Sequence, residues 1–195
     1  TASEIGEQLM NYPLQIEPAD SAQDAAQDRD AIEVLTRQQH AALRGVFVHP
    51  SVAVTGPAGS GKTVLAIWRL RALVEQGDDA LFLCFNKMLA KHLRMQNPDL
   101  ERQIWHADSY FARLVRPQPP APKNDLDRYF NEELPGLVLD FTETREKEAY
   151  AVDALIVDEG QDFGEFRLWA ARSLVKGGGT FLYCSDDRQD LYDRR

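Results

Sequence analysis

Apolar residues in this chain fall into short unbroken runs, separated by longer stretches in which they recur every three or four positions. Ser51-Val52-Ala53-Val54-Thr55, Ala80 to Phe85, residues 103–105, Ala154 to Val157 and Thr180 to Cys184 read as strands. Between them, Lys62 to Glu75 carries Val64, Leu65, Ile67, Trp68, Leu70, Leu73 and Val74, which predicts a helix apolar over a wide face and stopped by Gly77. Helices are also predicted over about Asp30 to Leu43, Lys87 to Met95, Asp108 to Arg116 and Phe163 to Lys176, the last ended by Gly177-Gly178-Gly179. Strands alternating with amphipathic helices predict an α/β fold whose mainly parallel sheet is covered on both faces. Residues 1–30 are polar, with Pro13 and Pro18, and read as a linker or the remnant of a preceding domain. Residues 31–195 read as one domain, interrupted at about 117–150 by an irregular acidic insertion that opens on Pro117, Pro119, Pro120 and Pro122. No internal repeat is visible.

Composition narrows the class. The chain has 195 residues, enough for one domain with a true core, and 44% hydrophobic with 27% charged residues is ordinary for a globular protein. No run approaches about 18 apolar residues, and no signal peptide is visible. Cys84 and Cys184 each lie in an apolar run, so they read as small core residues of a reducing, cytoplasmic protein rather than a disulfide or metal pair. The net charge of −9 argues against a polyanionic partner, but the charge is uneven. Residues 1–35 hold one Arg against eight acids, residues 36–116 eleven Lys and Arg against six acids, and residues 117–195 ten against seventeen. The basic stretch is the one that carries the motifs below.

Gly56-Pro57-Ala58-Gly59-Ser60-Gly61-Lys62-Thr63 fits G-x-x-x-x-G-K-[ST] between a predicted strand and a predicted helix. Its glycines let backbone N–H groups turn inward at phosphate oxygens, and the helix N-terminus adds partial positive charge. Lys62 is then the ligand of the β- and γ-phosphates, and the Thr63 hydroxyl is a ligand of Mg²⁺. About a hundred residues on, Asp158-Glu159 ends an apolar strand, at the sheet edge where ligands sit in open α/β folds. Asp158 suits Mg²⁺, usually through water, and Glu159 suits a general base for the attacking water.

These residues resemble the first RecA-like ATPase domain of UvrD-like superfamily I DNA helicases. Asp158-Glu159-Gly160-Gln161-Asp162 is similar to that family's D-E-x-Q-D motif. Leu35-Thr36-Arg37-Gln38-Gln39 resembles its adenine-reading motif, which implies that Gln39 selects ATP, with Gln38 as the neighbouring alternative. Phe85-Asn86-Lys87 and Trp105-His106 resemble its two motifs that touch single-stranded DNA, with Ile104 where a Thr is usual. Ser185-Asp186-Asp187-Arg188-Gln189-Asp190-Leu191-Tyr192 resembles G-D-x-x-Q-S-I-Y, which implies that Gln189 senses the γ-phosphate and Tyr192 stacks on a base; Ser185 and Asp190 depart from that pattern.

The resemblance implies a P-loop NTPase, a three-layer sandwich around a mainly parallel sheet, with ATP and Mg²⁺ as cofactors. It also implies single-stranded DNA as a partner, and a second RecA-like domain whose arginines complete the site. By itself the chain is expected to bind nucleotide and hydrolyse it very slowly. Several residues keep a plain alternative. Asn86 can cap a helix, His106 can serve a structural hydrogen bond, Lys87, Lys91 and Arg94 can form a solvated face, and Trp105 and Tyr110 read as core rather than as stacking platforms. A P-loop phosphotransferase and a nucleotide-controlled interaction module are the rival readings.

Overall fold

Five strands form one wholly parallel sheet in the order β1-β5-β4-β2-β3. In chain order the elements are β1 (Ser51–Thr55), α1 (Lys62–Glu75), β2 (Ala80–Cys84), α2 (Lys87–Gln96), β3 (Ile104–His106), α3 (Ala107–Leu114), α4 (Leu134–Thr144), β4 (Val152–Asp158), α5 (Glu165–Ser173) and β5 (Val175–Ser185). The computed structural model describes residues 49–117, 125–146 and 149–186. All of these belong to the second of two units into which the chain divides, Gln38–Arg195. The predicted first helix, and with it Gln38 and Gln39, lies outside the described residues, as do Gln189 and Tyr192. Among the described residues no helix is long and apolar enough to cross a membrane.

The sheet separates two cores. On one face Leu65, Ala66, Leu70 and Leu73 of α1 and Ala90 and Leu93 of α2 pack on Phe82, Ile104, Ile156 and Leu182. On the other, Phe111 of α3, Leu134 and Val138 of α4 and Ala170 and Ala171 of α5 pack on Leu81, Leu83, Leu155 and Val157. β2 is buried at all five positions, and six of the seven residues of β4 are buried. That is why the strands read as continuous apolar runs rather than alternating ones. Each large side chain taken fully out of water here contributes about 1.5–3 kcal/mol.

Two sequence expectations change. The segment at 117–150 is not irregular throughout. A helical turn at Leu126–Arg128, a π turn at Tyr129–Glu133 and α4 run on from one another, and Tyr129, Leu134 and Val138 enter the second core. The acids before and after α4, and Pro135 and Gly136 at its start, hid the apolar run Leu137, Val138, Leu139 and Phe141. The helix predicted over Phe163 to Lys176 is shorter, running Glu165–Ser173 after a 3₁₀ turn at Gly160–Asp162. Leu174 and Val175 are drawn into the second core, and Val175 already pairs with Val152, so β5 begins there. Gly177-Gly178-Gly179 do not stop a helix; they form a bulge within β5, where two steps along β4 (Val152 to Ala154) match five along β5 (Val175 to Thr180). Gly178 has φ 81°, and a Cβ on Gly179 would stand 2.6 Å from the Asp153 carbonyl oxygen, so the glycines are needed there.

Candidate active site

The strand order places the ends of β1, β5 and β4 side by side, and those ends carry the phosphate loop and the carboxylates. The loop leaves β1 at Thr55 and is pinned by Gly56 N–H to Ser185 O (3.3 Å) and Ser60 N–H to Pro57 O (3.2 Å). Gly59 and Gly61 take φ of 79° and 85°, a conformation that side chains disfavour. Ala58, Gly59 and Ser60 are exposed at the crest. No side-chain hydrogen bond caps α1 at Gly61, and the first N–H groups of a helix have no partner within it. Lys62, only 9% exposed, bends back over the loop and donates from Nζ to Gly56 O (2.6 Å) and Pro57 O (3.0 Å).

Thr63 Oγ1 donates to Asp158 Oδ2 at 2.8 Å, joining the phosphate loop to the carboxylate strand across 95 residues of chain. Asp158 is fully buried, and among the described residues its Oδ1 has no hydrogen-bond partner. Burial raises its carboxyl above the usual range, against the bond from Thr63, which lowers it. A buried carboxylate oxygen without a partner is costly unless something positive meets it. The oxygen donors of Thr63 and Asp158 fit a hard cation such as Mg²⁺. Cys84 and Cys184 flank Asp158 on β2 and β5; both are free and buried, and burial pushes the Cys84 thiol up to about 12 and the Cys184 thiol higher still. As protonated thiols they are poor metal ligands.

Glu159 follows in the left-handed region, φ 53° and ψ 43°. A non-glycine residue there stores about 1–3 kcal/mol and turns its side chain out of the strand direction. Gln161 holds that side chain. Its Nε2 donates to Glu159 Oε2 at 2.6 Å, while its Oε1 accepts from Asp186 N–H at 2.9 Å. One amide thus links the candidate base to the end of β5. Gly160 is packed beneath the Tyr183 ring, where any Cβ would overlap it. The sequence reading quoted Gln161 as part of a motif but gave it no role.

The residues expected to face a nucleic acid gather at the neighbouring ends of β2 and β3, where Cys84 pairs with His106. Asn86 caps α2, its Oδ1 accepting from Met88 N–H (2.9 Å) and Leu89 N–H (3.1 Å). Phe85, Lys87, Met88 and Lys91 are exposed. Arg94 turns inward instead, donating to Ile104 O at 2.6 Å, with its guanidinium 4.5 Å from the Trp105 ring centre. Arg113 and Tyr110 also pack on Trp105, so this residue is a packed wall. His106 caps α3, its Nδ1 accepting from Ser109 N–H (3.3 Å), which leaves the ring proton on Nε2, 3.8 Å from Asp108 Oδ2. Burial lowers the imidazole below its ordinary value; Asp108 opposes this, while Lys87 and Arg167 add to it.

Sequence reasoning missed Arg167 and Asp108. Arg167, 3% exposed, donates from Nε to Asp108 Oδ1 at 3.0 Å and from Nη2 to Phe130 O at 3.0 Å. A signal was present, since Phe163, Arg167, Ala170, Ala171 and Leu174 share one inward stripe with an arginine in its midst. Comparison with known proteins is consistent with the phosphate-loop architecture. No curated protein matches the chain. A family model described as an AAA domain matches residues 38–193, which include the phosphate loop and the carboxylates. The chain belongs to that AAA domain family.

Proposed function

We propose that this chain is the first motor domain of a UvrD-like superfamily I DNA helicase or translocase, hydrolysing ATP to ADP and phosphate as it steps along single-stranded DNA. The observation that carries the reading is the bond from Thr63 to Asp158 beside an Asp158 oxygen that is buried and unpartnered. It joins the phosphate loop to a strand-end carboxylate and leaves an acceptor for a cation. The adjoining edge, with Asn86, Lys87 and His106, supports a nucleic-acid strand lying beside the nucleotide.

In this reading Lys62 leaves the Gly56 and Pro57 carbonyls for the β- and γ-phosphates of ATP, which are the stronger acceptors. The backbone N–H groups of Gly59, Gly61, Lys62 and Thr63 cradle the phosphates. Thr63 and Asp158 would hold Mg²⁺, and the metal would offset negative charge on the phosphate oxygens. Glu159 takes the proton of the attacking water as its oxygen bonds to the γ-phosphorus and the bond to the ADP oxygen breaks. Gln39 reads adenine, Gln189 senses the γ-phosphate and Tyr192 stacks on a base. A second RecA-like domain closes over the nucleotide and contributes arginines, a contribution worth about 10³–10⁵ in rate in related NTPases. The compartment proposed is the cytoplasm.

The test is ATP hydrolysis by the full-length protein with and without single-stranded DNA, beside Glu159→Gln. Stimulation by DNA, with turnover in the variant reduced by about 10²-fold or more, is the expected result. Hydrolysis that ignores DNA, or that survives in Glu159→Gln, would overturn the proposal.

A further inference from the structure

Arg167 stands where four parts of the fold meet. It belongs to α5, the helix that follows the carboxylate motif. Its guanidinium pairs with Asp108 on α3, donates to the Phe130 carbonyl in the π turn, and lies 5.1 Å from the centre of the Phe85 ring. Asp108 in turn faces His106, and Phe85 also meets Phe163, ring centres 6.4 Å apart, just behind the carboxylates. The carbonyl it uses lies in a local widening of a helix, a feature that recurs at functional sites.

Stability alone does not account for this side chain. A buried ion pair gains little over apolar residues of similar volume, because both charges must first leave water. What an arginine supplies here is direction. Its planar fork fixes a carboxylate and a carbonyl at once and presents a face to an aromatic ring, which a lysine's single ammonium cannot do. The groups it fixes are the neighbours of the residues proposed to meet the strand: Phe85 precedes Asn86 and Lys87, and Asp108 orients the Nε2 side of His106.

We propose that Arg167 is a positioning residue for single-strand binding: through Phe85 and through Asp108 it holds the Phe85–Lys87 loop and His106 as one surface. The inference rests on the strand-binding part of the function proposed above, and it goes beyond it by naming a residue that touches no strand itself. Tyr129 and Phe130, edge to face at 5.1 Å, anchor the π turn against which the guanidinium is braced. The acidic helical segment is thereby made part of the support of the strand surface.

Arg167→Lys keeps a positive charge, and Asp108→Asn keeps the shape of the partner while removing its charge. In the full-length protein, affinity for a fluorescein-labelled oligo(dT) would be read by anisotropy, and affinity for a fluorescent ATP analogue would be read on the same samples. The expected result is a loss of oligo(dT) affinity of about 3- to 30-fold in each variant, with nucleotide affinity changed by less than about twofold. The double variant should be no weaker than the weaker single one, because both act through one contact. Wild-type oligo(dT) affinity in both variants would overturn the inference while leaving the function proposal standing. Parallel loss of strand and nucleotide binding in the milder Asp108→Asn would also overturn it, as the mark of a purely structural pair. Failure of the wild-type protein itself to bind oligo(dT) would instead remove the strand-binding reading, and this inference with it.

Discussion

Asp158 and Arg167 are both buried charges, 0% and 3% exposed, and the fold completes them in opposite ways. Arg167 has a carboxylate on Nε, a carbonyl on Nη2 and an aromatic ring against its face. Asp158 has one hydroxyl on Oδ2 and, among the described residues, no hydrogen-bond partner on Oδ1. Native proteins leave few buried polar atoms unpaired, so the contrast is informative. The filled site holds loops in place. In the function proposed above, the open one is the acceptor for a positive charge that arrives with a ligand. The two sites lie on opposite faces of the sheet, one proposed to receive a ligand and the other to brace the surface beside it.

The largest effect expected of any change to this pair of sites comes from the open one. Lys62→Ala removes the cation that the loop holds for phosphate, and phosphate release should slow by about 10²–10³-fold, as for loss of one preorganised donor. Turnover near wild type would break the comparison, since the open site would then not be the reactive one. The next effect belongs to the filled site. Arg167→Met leaves Asp108 charged and without its guanidinium partner, which should lower the free energy of unfolding by about 3 kcal/mol in a urea titration. Adding Asp108→Asn should recover part of that loss, because the uncompensated charge is removed as well. If single and double variants are equally destabilised, the cost lies in lost packing and not in the pair.

The two sites also differ in how far the sequence discloses them. The frame of the phosphate loop, Asp158 and Glu159 was legible because the chemistry proposed for them needs fixed residue types at fixed spacing between strand and helix, and local sequence carries that pattern. β1 and α1 have the expected bounds for the same reason. Arg167 and Asp108 are 59 residues apart and join only when α3 and α5 have both packed against α4, so no local pattern names the partner. Gln161 was visible as a letter of a motif, but its bridge to Asp186 depends on β5 lying beside β4. The glycine triplet misled because the same residues serve a helix stop and a strand bulge; the choice was made by Val175 pairing with Val152. The acidic segment misled because acids flank its apolar run and Pro135-Gly136 stand in the first turn of α4, where Pro is tolerated but reads as a breaker.

The smallest effect expected is the one that separates the two sites most sharply, because its sign is reversed. Asp158→Asn should stabilise the nucleotide-free protein at neutral pH. Burial raises the Asp158 carboxyl above its ordinary value, so the fold without ligand favours the protonated form. The stability tied to that proton is fully present below the unfolded aspartate value of about 3.9, and is lost as pH rises through the raised value of the folded state. At neutral pH the carboxylate therefore costs stability, on the order of the 1–3 kcal/mol of an unsatisfied buried group. An asparagine carries no such charge, and its gain should appear as a melting temperature higher by about 2–4 °C for each kcal/mol recovered in a domain of this size. The gain should shrink as the pH is lowered, because wild-type Asp158 then takes up its proton and the two proteins become alike. Adding Mg²⁺ and nucleotide should reverse the order, since only the carboxylate is stabilised by the cation. Thermal unfolding of both proteins, across pH and with or without Mg²⁺ and nucleotide, reads all three signs. A variant less stable than wild type under every condition would mean that Asp158, like Arg167, is part of the frame and is not an acceptor held in reserve.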